Sequence, residues 1–77
     1  MGLKTLDCVV LKRDLPAQGL RKGDIGTVVE TYEPDGFEVE FVTAAGDTIA
    51  VLTLAEHDIR AARSDDMLAA RSTRSAS

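Results

Sequence analysis

The stretch GLRKGDIGTVVETY, residues 19–32, decides how the chain is read. Three glycines fall within its first eight residues, beside Arg21 and Lys22. That is the composition of a phosphate-cradling loop, but the spacing is wrong. A Walker loop needs Gly-x4-Gly-Lys-Ser/Thr, so that backbone amides and a lysine wrap the phosphates. Gly19, Gly23 and Gly26 lie four and three residues apart, and no Lys-Ser/Thr pair follows. A dinucleotide fingerprint fails as well, because it needs a helix after the turn, whereas TVVETY has strand character. The glycines therefore read as architecture. Gly23 and Asp24 turn the chain, and Gly26 permits a bend or a close backbone approach inside a strand.

Working outward, LDCVVLK (6–12) is a β-branched run that ends in the turn-rich RDLPAQGLRKGD (13–24). Pro16 and Gly19 make that segment an ordered loop. IGTVVETY (25–32) is the next strand. EPDG (33–36) is a turn, with Pro34 presetting φ and Gly36 available for a positive φ. In FEVEFV (37–42), Phe37, Val39 and Phe41 alternate with Glu38 and Glu40, the period of a strand with one wet face. TAAGD (43–47) turns the chain. TIAVLTL (48–54) is apolar on both faces, which predicts a strand buried on both sides. AEHD (55–58) reads as one helical turn and IRAA (59–62) as a last short strand.

Five short strands with tight turns and no long helix predict an all-β domain over residues 1–62. The expected form is a small five-stranded antiparallel SH3-like barrel with a one-turn helix before the last strand. After Arg63 hydrophobicity collapses. Ser64 is placed to cap a short helix with Asp65 and Asp66 in its first turn, and residues 63–77 are expected to be a frayed or disordered tail.

The totals narrow the function classes. Seventy-seven residues make one small domain with a marginal core. Hydrophobic residues at 44% and charged residues at 29% are ordinary globular values. Tyr32, Phe37 and Phe41 are the only aromatics, so Val, Leu and Ile must build the core. The net charge of −4 has the wrong sign for a chain held mainly by nucleic-acid phosphates or anionic lipid. A single cysteine, Cys8, excludes an internal disulfide framework and points to a reducing, cytoplasmic setting. No apolar run has the length of a membrane span, and the first residues have neither signal-peptide nor myristoylation character.

The run from Leu6 to Arg60 carries a resemblance. Its segment GLRKGDIGTVVETY is similar to the Gly-x-x-Gly-x-Val segment of KOW-type barrels, and to the C-terminal barrel of nitrile hydratase β subunits. The fuller pattern is Asp-Leu-Pro, Gly-Leu, Gly-Asp-x-Gly-Thr-Val-Val-Glu, Val-Glu-Phe and Thr-Leu. It resembles a family of small bacterial proteins of unknown function over roughly residues 6–62. The resemblance implies the barrel and imports no activity.

No catalytic group stands out. His57, between Glu56 and Asp58, is the only histidine; three consecutive residues cannot converge on one ion, so no metal and no cofactor is expected. Cys8 is expected to be a buried, inert thiol. Glu38 and Glu40 share a strand face, with Glu30 as an expected neighbour, and read as a solvated face rather than a glycosidase pair. The loop 12–22 is left as the candidate partner-binding edge. Lys12, Arg13, Arg21 and Lys22 bracket it and converge if its ends approach. The expected function is a non-catalytic accessory or protein-interaction module whose partner is another protein. A KOW-like nucleic-acid-binding module and an antitoxin-like or immunity-like partner protein are the alternatives.

Overall fold

The computed structural model describes residues 2–42 and 46–68, the last two by their backbone. The domain is all-β. Strands β1 (Cys8–Leu11), β2 (Ile25–Tyr32), β3 (Gly36–Val42), β4 (Thr48–Ala55) and β5 (Ile59–Ala61) form one antiparallel sheet in the order β4-β3-β2-β1-β5. A 3-10 turn, Pro16–Gln18, lies in the β1–β2 loop, and a second, Glu56–Asp58, precedes β5. A short helix, α1 (Ser64–Leu68), follows β5. The expected strands and the single helical turn fall where the sequence places them. β1 starts two residues later than expected because Lys4–Asp7 forms a tight turn, with Leu6 at φ 78° and the Asp7 carboxylate accepting the Lys4 N–H at 2.9 Å.

The core is aliphatic around two phenylalanines. Val9, Leu11, Leu20, Val28, Phe37, Val39, Phe41, Leu54 and Ile59 are buried together. The alternation in β3 puts Phe37, Val39 and Phe41 inward, while Glu38 and Glu40 stay half-buried on the other face. Leu20 comes from the loop: a bridge between Leu15 and Leu20 folds that segment over the sheet.

The glycines of the opening stretch are structural. Gly19 (φ 72°) ends the first 3-10 turn and Gly23 (φ 98°) turns the chain into β2. Gly26 is buried in β2, and a Cβ there would stand 2.7 Å from Val39 Cγ1 and 2.9 Å from the Phe41 ring. This is the close approach expected of it. Gly36 differs from expectation. Its φ is not positive; it opens β3 in extended form opposite Tyr32 and Ala55, and the Glu33–Pro34 peptide before it is cis. The turn residues 43–45 lie outside the described residues.

A bulge at Val29 shifts the β2–β3 register between Val28 and Glu30. Val28 opposes Val39 in the core, and Glu30 opposes Glu38 on the outer face. In an unbroken register Glu30 would oppose Phe37 and point into the core, since a one-residue slip exchanges faces.

β4 departs from the sequence expectation of burial on both faces. It is an edge strand, and only Leu54 within it is fully buried. Ala50 and Leu52 pack against the core, while Ile49 and Val51 are exposed. The physical reason is that Val51 shares the outer face with Glu38 and Glu40, which no other described element covers, while the strand order leaves β4 without a lateral neighbour among the described residues.

Beyond β5, α1 is clasped to the sheet. Arg60 donates two hydrogen bonds to the Asp66 carboxylate, at 2.7 and 2.8 Å, and the Arg63 N–H donates to the same group. The short helix falls where Ser64, Asp65 and Asp66 place it, within the tail expected from residue 63. Residues 69–77 lie outside the described residues.

Two substitutions test this packing. Phe41→Ala should lower stability by about 3–5 kcal/mol, since Phe41 is only 1% exposed. Gly26→Ala should cost about 1–3 kcal/mol by overpacking against Val39 and Phe41. Urea denaturation measures both, and a neutral Gly26→Ala would contradict the close approach.

Candidate functional site

The β1–β2 loop is held by carboxylates acting on its own backbone. Asp14 accepts the Lys22 N–H and buried Asp24 accepts the Arg21 N–H, both at 2.9 Å. The loop ends meet, since Leu11 donates to the Asp24 carbonyl and Gly23 to the Leu11 carbonyl. Lys12 follows this junction, its own N–H donating to the Asp58 carbonyl, and Lys22 precedes it. Lys12, Arg21 and Lys22 are exposed.

Arg13 has different work. Its Nε donates to Asp58 at 2.7 Å, and the Asp58 side chain, only 8% exposed, also accepts the Ala55 N–H at 3.0 Å. The Arg13 hydrogen bond outweighs the opposing effect of burial and holds the Asp58 carboxyl below the usual carboxylate range. This pair fastens the loop to the 3-10 turn between β4 and β5.

The groups whose ionisation is shifted are all held in their ordinary state. Asp7 is lowered, chiefly by the Lys4 backbone N–H, and Asp66 is lowered by the Arg60 fork. Arg60 is raised by Asp66, and Tyr32 is raised by donating its hydroxyl to Glu38. A general acid or base needs the opposite kind of shift. An open groove of about 710 Å³ has Lys4, Lys12, Glu56, His57 and Arg60 among its walls. Its cations Lys4 and Arg60 are already bonded to Asp7 and Asp66. His57 is exposed, with Nε2 3.6 Å from Asp58 Oδ1. Among the described residues no three His, Cys, Asp or Glu side chains are gathered to hold a metal ion.

Cys8 differs from expectation, being exposed rather than buried. It opens β1 opposite Thr27 and is exposed at the end of the strand, while Val9, Val10 and Leu11 after it are all buried.

The carboxylate face expected from Glu30, Glu38 and Glu40 lies across β2, β3 and β4, and what sequence reading missed is the exposed apolar surface beside it. On the outer face Glu30 opposes Glu38, Glu38 opposes Thr53, and Glu40 opposes Val51. Hydroxyls fix two of these carboxylates: Tyr32 donates to Glu38, and Thr48 donates to Glu40 at 2.9 Å. Beside them Val42, Ile49 and Val51 are exposed by 42–46%. Residues 25–56 contain seven acidic side chains and no Lys or Arg. That gap was the available sequence signal.

A domain family described as "Domain of unknown function (DUF4926)" matches residues 5–61. The chain belongs to this family. No curated protein and no solved structure matches it. The matched span starts in the turn before β1 and ends with β5, so the family unit is the whole sheet. No described helix is long and apolar enough to cross a membrane.

Asp58 makes a pH test. A carboxyl lowered on folding stabilises fully above the ordinary Asp value of about 3.9, and the contribution is lost as pH falls through the lowered one. Arg13→Ala should therefore destabilise by about 1.5–3 kcal/mol at neutral pH. The gap between variant and wild type should narrow below about pH 4, as thermal melts over pH 2–7 would record. A gap that widens in acid would contradict the pairing.

Proposed function

We propose that the chain is a non-catalytic protein-interaction module of SH3-like barrel form, serving in the cytoplasm as an accessory to a larger protein. The observation that carries this reading is the sheet edge at β4, where Ile49 and Val51 stay exposed beside an ordered row of carboxylates. Monomeric sheets normally blunt such an edge. The barrel form is supported by the order β4-β3-β2-β1-β5, the long loop between β1 and β2, and the 3-10 turn before β5. An antitoxin-like or immunity-like role is the form the interaction takes if the target is basic, since the face is uniformly acidic.

The exposed cations Lys12, Arg21 and Lys22 favour a second reading, KOW-like nucleic-acid binding through the loop. Three cations beside Asp14 and Asp24 neutralise few phosphates. Binding to random RNA or DNA should be no tighter than about 10⁻⁴ M at physiological salt. Immobilised protein should instead retain a specific protein from its source cells, and the purified pair should associate in solution. Micromolar, salt-sensitive RNA binding abolished by Lys12→Glu, Arg21→Glu and Lys22→Glu together would overturn the proposal. Arg13 is left out of that variant because its pairing with Asp58 supports the fold.

A further inference from the structure

We propose that the outer edge of β4 takes up an extended, basic segment of the partner protein as a sixth strand; the inference rests on reading the chain as a protein-interaction module. Three observations converge on this edge.

The first is the strand itself. TIAVLTLA (48–55) has no charge, no proline and no glycine, the devices by which exposed edges are ordinarily guarded. The register shift against β3 falls at its start, between the Phe41–Ala50 and Val42–Thr48 pairs, leaving Ala50–Ala55 in continuous register. An edge strand directs alternate N–H and C=O groups outward, and these are what an added strand would pair with.

The second is the apolar surface on the same strand. Val51 is exposed on the outer face, and Leu52 is half-buried on the inner one. An added strand lies roughly 4.8 Å beyond β4, so its alternate side chains would cover both residues.

The third is charge. Glu40 stands one strand further in from Val51, and Glu38 one strand further in from Thr53. Among the described residues neither glutamate is paired with a cation. Lys or Arg on the added strand would lay its methylene stem over Val51 and bring its charge to these carboxylates, as long basic side chains do on apolar surface. The Tyr32 and Thr48 hydroxyls already hold both acceptors in place, so little ordering is left to the moment of binding. A second copy pairing through its own β4 would bring an uncharged strand backed by the same Glu38 and Glu40, leaving both sets of carboxylates without cations, so the charge favours a basic partner. The recognised chemistry is an extended segment with Lys or Arg on one face and apolar residues on the other.

A blocked octapeptide alternating lysine and valine serves as the probe, titrated into isotope-labelled full-length protein and followed by amide chemical shifts. Shifts should be largest across Ala50–Ala55 and at Glu38 and Glu40. Affinity should drop at least fivefold between 20 and 200 mM salt, and at least fivefold with Glu38→Gln and Glu40→Gln together. Val51→Lys, at an exposed position, should abolish binding while leaving the spectrum folded. A peptide with glutamate in place of lysine should not bind. Shifts confined to the loop 12–22 would overturn the inference yet leave the protein-interaction reading standing. A dimer by sedimentation without peptide would assign the edge to a second copy and overturn it. So would the absence of any shift at millimolar peptide. RNA displacing the peptide from the loop would count against the wider reading as well.

Discussion

The structure depends on an empty volume at Gly26. Any side chain there would collide with Val39 and Phe41, two of the fully buried residues of the core. With so few aromatics, Phe41 is a large share of the apolar volume this domain can assemble, and a small domain has little stability to lose. Glycine in the middle of a strand ordinarily weakens it. Here it lets β2 come down onto the ring, so Val9, Val28 and Phe41 close into one cluster. The opening glycine-rich stretch thus serves packing, although it superficially resembles a nucleotide loop.

From that centre the two ends of the molecule diverge in character. Around β1 and β5 the chain is stitched by charge: Arg13 to Asp58, Arg60 to Asp66, and Asp14 and Asp24 to loop amides. Each cation bonded there is compensated locally. Across β2, β3 and β4 the opposite holds. Seven carboxylates occur with no Lys or Arg between Ile25 and Glu56, and the bulge at Val29 aims Glu30 to the same side as Glu38 and Glu40. A formal charge of −4 conceals this segregation. The acidic half also carries the exposed apolar edge, so the two features a partner would read lie together.

The fold was largely legible in the residues. Phe37-Glu38-Val39-Glu40-Phe41 declares its strand and its inward face, Pro34 and Gly36 bound a turn, and Gly23 with Asp24 sets the entry to β2. What escaped was long-range. β4 looks buried because Ile49, Val51, Leu52 and Leu54 populate both its faces, and only the three-dimensional arrangement reveals that the face carrying Val51 is open and that no described strand lies beyond β4. Cys8 looks like a core residue because Val9 and Val10 follow it, whereas it is exposed at the end of its strand, opposite Thr27. Gly36 after Pro34 and Asp35 reads as a left-handed turn residue, whereas its use is as an extended residue facing Tyr32. Arg13 looked like one of four equivalent loop cations; Asp58, 45 residues later, removes it from that set. Composition alone cannot anticipate such a pairing.

The central claim is that β4 is an open edge on a folded monomer, ready to accept another strand. Hydrogen exchange of individual amides in the isolated protein tests it most directly. An edge strand bonded on one side only should show alternation from Ala50 to Leu54, with every second amide exchanging at nearly the rate of an unprotected peptide and its neighbours protected by β3. Uniform protection along these residues in the monomer would contradict the account, because it would mean that the outer groups of β4 are already satisfied.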